Sequence, residues 1–189
     1  MSYRRAFIRQ EKRRKEKLEK RKDSAGKFLR EKNNGYDEGK IIASAVGVEC
    51  LYNVFGWRKS RIGKAFRHIN EQAKGDTEVL KYVCTIYQEK LIEGLKEKKL
   101  LDKKVYVNSP FERAKVCERN EIYVTCAGLI INVLKSHYNF GSNSTNTGRL
   151  DKVQQYFEKR FNDMNQNPKY YGAQVYAERV KQETGVCIM

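Results

Sequence analysis

Proline is almost missing from this chain: Pro110 and Pro168 are the only two among 189 residues. Breaks in helix are therefore few, and abundant Glu, Lys, Leu and Ala favour helix over most of the length. No run of about 18 apolar residues occurs, so no segment is suited to span a membrane. No apolar stretch follows the N-terminal basic residues, which excludes a secretory signal, and the acids among them exclude a transit peptide. The cysteines are Cys50, Cys84, Cys117, Cys126 and Cys187, an odd number with no C-x-x-C pair. They read as reduced thiols, four of them as small core residues, which fits a reducing cytoplasm. Cys187 is third from the end, so the four-residue prenylation box is absent.

The marks of catalysis are missing too. There is no G-x-x-x-x-G-K-[ST] phosphate loop and no G-x-S-x-G elbow. No acidic cluster beside Lys or His offers to hold Mg²⁺, and acids such as Glu89 and Glu93 read as helix surface. His68 and His137 each stand alone, away from any cysteine at a ligand spacing. Neither an enzyme nor a cofactor or metal site is expected.

What the chain has is positive charge at its start. Residues 1–32 hold fourteen Lys/Arg against five acids, a net +9 of the chain's +16. Their apolar residues are few and scattered, so this arm cannot build a core. It is expected to project as a helix or to form one on binding, supported by the i,i+4 pairs Glu11–Lys15 and Glu16–Lys20, and to seek a negative partner. Its candidate phosphate contacts are Arg4, Arg5, Arg9, Lys12, Arg13, Arg14, Lys15 and Arg21, with Tyr3 and Phe7 to pack on bases or in a protein groove.

The predicted fold is all-α: a multi-helix bundle carrying a basic N-terminal helical arm. Asn33-Asn34-Gly35 is a turn signal that ends the arm. Buried helix follows at 41–55, then Gly56-Trp57. A second helix at 58–74 has Ile62, Ala65, Phe66 and Ile69 at i, i+3, i+4, i+7. Gly75-Asp76-Thr77 ends it and caps the next helix, 77–101, whose apolar face is Val79, Leu80, Val83, Ile86, Tyr87, Leu91 and Leu95. Residues 102–110 read as a short strand or an extended connector. Another buried helix is expected at 120–140, a polar loop at 141–148, and amphipathic helices at 149–165 and 169–185. Trp57, Tyr170, Tyr171 and Tyr176 read first as core and second as interface. The implied units are 1–35, 36–105 and 106–189.

The second half echoes the first. Tyr52-Asn53, Phe55-Gly56 and Arg61-Ile62 return as Tyr138-Asn139, Phe140-Gly141 and Arg149-Leu150, and Tyr87 as Tyr176, at offsets of 85 to 89 residues. The pattern fits a tandem duplication of a three-helix unit, although any two amphipathic helix trios share some such letters. These residues, with Lys181-Gln182-Glu183-Thr184-Gly185, resemble small helical proteins encoded by phages or mobile elements of Gram-positive bacteria. The resemblance spans 41–74 and 120–186 loosely, excludes the arm, and implies a phage origin more than an activity.

A second basic cluster, Arg58, Lys59, Arg61, Lys64 and Arg67 with His68, opens the helix at 58–74. Together with helix 41–55 it reads as a helix-turn-helix or as an ordinary helical corner with a solvated basic face. The corresponding stretch of the second half, Ser142 to Thr147, has no cation. The expected function is a non-catalytic regulator that binds DNA or RNA through arm and basic helix as one surface. The alternative is an anti-CRISPR-like inhibitor that binds a host defence ribonucleoprotein with its guide RNA. The second helical unit is then free for a protein partner, and no membrane is involved.

Overall fold

A computed structural model describes the backbone of residues 2–74, 77–98, 109–141, 147–167 and 172–188. Side chains are described for 13–74, 87–98, 109–141, 148–167 and 172–188. Among the described residues all regular structure is helical: α1 (Ser2–Asn53), α2 (Lys59–Lys74), α3 (Thr77–Glu97), α4 (Pro110–Tyr138), α5 (Thr147–Gln166) and α6 (Ala173–Thr184). The all-α bundle read from the sequence is thus observed. No described helix is long and apolar enough to cross a membrane.

The turn predicted at Asn33-Gly35 does not exist. Arm and buried segment are one helix of 52 residues, about 78 Å at 1.5 Å per residue. Gly35 is not a turn residue but a contact. A Cβ there would run into the Lys115 carbonyl, and one at Gly39 would lie 2.6 Å from the Arg119 carbonyl oxygen and 2.9 Å from Ile122 Cβ. Ala43 is fully buried, and a Cβ at Gly47 would meet Ile130 Cδ1 at 3.1 Å. Gly35, Gly39, Ala43 and Gly47 recur every fourth residue, so they form one ridge of small residues along α1. That ridge lets α4 lie close beside α1. The order of contacts, 35 with 115, 39 with 119 and 122, 47 with 130, makes the two helices parallel. Lys115–Glu38 at 2.7 Å and Lys32–Glu118 at 3.3 Å join their polar edges.

α4 begins ten residues before the expected start at 120. Ser109-Pro110-Phe111-Glu112 is its N-terminus: the Ser109 hydroxyl accepts from the Glu112 amide at 3.1 Å, and Pro110 occupies the first turn, where it forfeits no bond. Residues 102–108, the predicted strand or connector, lie outside the described residues. So do Gly75-Asp76, Ser142 to Asn146, and Tyr170 and Tyr171.

α1 and α4 end in the same way. The Trp57 amide donates to the Leu51 carbonyl at 3.0 Å, with Gly56 at φ 63° between them. The Phe140 amide donates to the Leu134 carbonyl at 3.2 Å, with Asn139 at φ 54°. Each bond closes a seven-residue turn around a left-handed residue, the conformation Gly and Asn tolerate best, followed by a buried aromatic residue. The two aromatics meet, ring centroids 5.7 Å apart. Arg61 lies over Trp57 at 4.2 Å and Arg149 over Phe140 at 5.8 Å. The structural correspondence therefore pairs Gly56 with Asn139 and Trp57 with Phe140, 83 residues apart. It differs by three from the letter match of Tyr52 with Tyr138, because the caps rather than the aromatic letters set the register.

The halves interlock. α3 packs on α4 and α6 packs on α1, so each half's third helix covers the other half's first. The buried Tyr123 of α4 donates its hydroxyl to the Phe157 carbonyl of α5 at 2.8 Å. Leu91 and Leu95 of α3, Phe157 and Phe161 of α5, and Tyr176 and Val180 of α6 close the core around the α1–α4 pair.

The glycine ridge yields opposite outcomes for one substitution. Gly39→Ala should lower stability in urea by about 1–3 kcal/mol, because the close approach outweighs alanine's better helix propensity. Gly26→Ala meets nothing within 4 Å and should leave the urea midpoint unchanged while far-ultraviolet circular dichroism gains helix signal.

Candidate nucleic-acid interface

α4 starts at Pro110, and Lys27 of α1 lies over the Phe111 ring at 5.0 Å. Upstream of that level α1 passes beyond the end of α4. Every side chain from Arg13 to Arg30 is exposed. The arm is therefore a projecting extension of a core helix, and its direction is set by the ridge contacts at Gly35 and Gly39. Of the predicted phosphate contacts, Arg13, Arg14, Lys15 and Arg21 are exposed on it. Arg4, Arg5, Arg9 and Lys12 lie on the same helix, and their side chains, with those of Tyr3 and Phe7, fall outside the described residues.

The second cluster is exposed as well. Arg58, Lys59, Arg61, Lys64 and Arg67 face solvent, while Ile62, Ala65 and Ile69 of α2 are buried. Beyond the stack of Arg61 on Trp57, Arg58 lies 5.9 Å from the Tyr52 ring. Lys135 and His137 are exposed near the end of α4. His68 and His137, each read as solitary, stack with centroids 4.6 Å apart and planes 9° apart, and Glu71 lies 3.4 Å from His68 Nδ1. No linear signal announced this pair, which depends on α2 folding back along α4. Trp57 is buried, as first read. Among the described residues no group of three or more His, Cys, Asp or Glu is placed to hold a metal ion.

The two basic clusters do not form one surface. Arg14 precedes the end of α1 by 39 residues, about 60 Å along a continuous helix. Arg58 and Arg61 follow that end. The expected single surface is thus replaced by two, at opposite ends of α1.

The sequence reading also missed a buried ionic group. Glu49 of α1 is 3 % exposed. Arg160 of α5 grips it with both prongs, Nε to Oε2 at 3.0 Å and Nη2 to Oε1 at 2.9 Å. Tyr176 of α6 donates its hydroxyl to the same carboxylate, and Arg179 Nη2 lies 3.6 Å from it. The Tyr156 hydroxyl accepts from Arg160 at 3.1 Å. Burial pushes the Tyr156 phenol up to about 12 and, together with the Glu49 charge, pushes Tyr176 up further. The group ties α1, α5 and α6 together at one carboxylate. At the corresponding place in the other half, Asn132 of α4 donates to Gln72 of α2 at 3.3 Å. A neutral pair there replaces the charged one.

Two outcomes follow. Glu49→Gln removes the charge that Arg160 and Arg179 share, and stability in urea should fall by about 3–5 kcal/mol. Cys50 is buried, and burial followed by the Glu49 charge pushes its thiol up to about 12. Its stabilising contribution is complete below the ordinary thiol range and is lost as pH rises toward that raised value, where only the unfolded thiol ionises readily. Cys117 on α4 and Cys187 are both exposed, so the expectation of four core cysteines fails. Timed alkylation with peptide mapping should find Cys117 and Cys187 modified in the native protein and Cys50 only after denaturation. No protein-family model, curated protein or solved structure matches the chain.

Proposed function

We propose that this protein binds nucleic acid through the projecting arm and regulates it without catalysis. The observation that carries this reading is the run of exposed side chains from Arg13 to Arg30 on a helix continuous with the core. A helix with a large cation excess and no core of its own to cover is suited to a dense array of negative charge, and the phosphate backbone is the commonest such array. The basic face of α2 is a second, weaker contact at the far end, reached only by a long ligand. The likeness of Tyr52, Asn53, Phe55, Gly56, Tyr138, Asn139, Phe140 and Gly141 to phage-encoded helical proteins supports an origin in a phage or mobile element.

The test is titration of fluorescent nucleic acids across a salt series. Arg13→Glu with Arg14→Glu and Lys15→Glu should weaken binding well over tenfold and flatten the salt slope. On a duplex of about 12 base pairs, roughly 40 Å long, Arg61→Glu with Lys64→Glu should change little, because that cluster is out of reach. Melting temperatures of both variants should match the parent, as expected for exposed sites. If the arm variant binds as the parent does, the electrostatic reading is wrong. If bare nucleic acid binds poorly but a guide-RNA-loaded host effector binds tightly, the arm serves an inhibitor of that effector instead.

A further inference from the structure

The arm is not evenly basic around its circumference. Successive helical residues turn by about 100°. With Leu18 as the reference, Ala25 and Leu29 fall within about 20° of it, forming a narrow stripe along the helix. Arg14 and Arg21 flank this stripe on one side, and Lys15 and Lys22 on the other, at about 40–60°. Glu16, Glu19 and Asp23 lie about 100–160° away, on the back, which Arg13, Lys20 and Lys27 share. Leu18 is 56 % exposed and Leu29 60 %, so nothing within the chain covers the stripe.

We infer that the arm is built to enter the major groove of duplex DNA, with the Leu18–Ala25–Leu29 stripe toward the base edges. This rests on the nucleic-acid reading above and narrows it to one ligand. An α-helix is about 10–12 Å across and the B-form major groove about 12 Å wide. A helix seated there has bases beneath it, a phosphate backbone on each flank and water behind. Small apolar side chains below suit thymine methyl groups, cations on both flanks reach the two strands, and acids are tolerated only behind. From Arg13 to Arg30 the arm presents that order, whereas Glu11, about 20° from Leu18, falls on the stripe itself. The A-form major groove of double-stranded RNA is deep and too narrow for this seating. An anionic membrane would require a broad bulky apolar face in place of a stripe one residue wide.

Paired charge reversals of equal size test the inference in the full-length chain. Arg14→Glu with Arg21→Glu changes the flank, and Arg13→Glu with Lys20→Glu changes the back by the same net charge. On a short B-form DNA duplex the flank pair should lose at least tenfold more affinity than the back pair. It should also lower the salt slope by about two, one for each phosphate contact removed. Methyl green, a major-groove ligand, should displace the protein, and netropsin, a minor-groove ligand, should not. Duplex RNA of the same sequence should bind at least tenfold more weakly. Equal losses for both pairs, displacement by netropsin alone, or equal binding to duplex RNA would overturn the groove assignment while leaving nucleic-acid binding intact. Binding to anionic vesicles with none to any nucleic acid would overturn both.

Discussion

Everything in this molecule is hung on the close, parallel approach of α1 and α4. Parallel helices joined in one chain need a long return path, and here the return is made by α2, α3 and the segment before Ser109. The approach depends on four small residues, Gly35, Gly39, Ala43 and Gly47, and at the three glycines an added Cβ would meet α4 atoms at 3.1 Å or closer. Glycine inside a helix costs roughly 1 kcal/mol each in propensity. The cost is tolerated because close contact recovers dispersion over a long seam. The seam also fixes the direction of α1 and therefore of the arm beyond it.

Around that pair the remaining helices are exchanged between halves. A third helix that covers the partner half's first helix cannot leave without exposing both cores, so the two halves form one cooperative unit rather than two small domains. The ionic tie at Glu49 belongs to this exchange. It draws α1, α5 and α6 to one carboxylate through a forked guanidinium and a phenol, a geometry only a narrow range of helix positions satisfies. Glu158 plays a smaller part: buried at 3 % exposure, it accepts from Gln154 at 2.9 Å and pairs with Lys98 of the α3 end. Gly94 leaves room for it.

Helix content, the buried face of α2 and the exposed basic positions were legible from spacing and charge alone. Ile62, Ala65 and Ile69 sit where a 3.6-residue period puts them. Asn33-Asn34-Gly35 misled because a glycine read by itself signals a turn, whereas a glycine every fourth residue signals a close neighbour, and the neighbour is far away in sequence. The start of α4 was legible and overlooked: Ser109 three residues before Glu112 is a capping signature. The two helix ends with left-handed cap residues, at Gly56 and Asn139, lie at a different spacing from the aromatic letters that matched in the sequence. Glu49 with Arg160, and His68 with His137, could not be read at all, because each pairing depends on tertiary contact between helices distant in the chain. The cation face of the arm was countable; its separation from α2 depended on knowing that no break intervenes.

The continuity of α1 has a further consequence, in helix nucleation. An isolated basic peptide of about 30 residues must first close a turn on its own, with a nucleation constant near 10⁻³, roughly 4 kcal/mol. The arm needs no such event. The core segment from Ile42 to Leu51, held on all sides, is already a completed nucleus. Each arm residue is added by propagation alone, at a gain near zero for Lys, Arg, Glu and Leu. The order of the arm is therefore borrowed from the core and decays with distance from it. The base of the arm is helix before anything touches it.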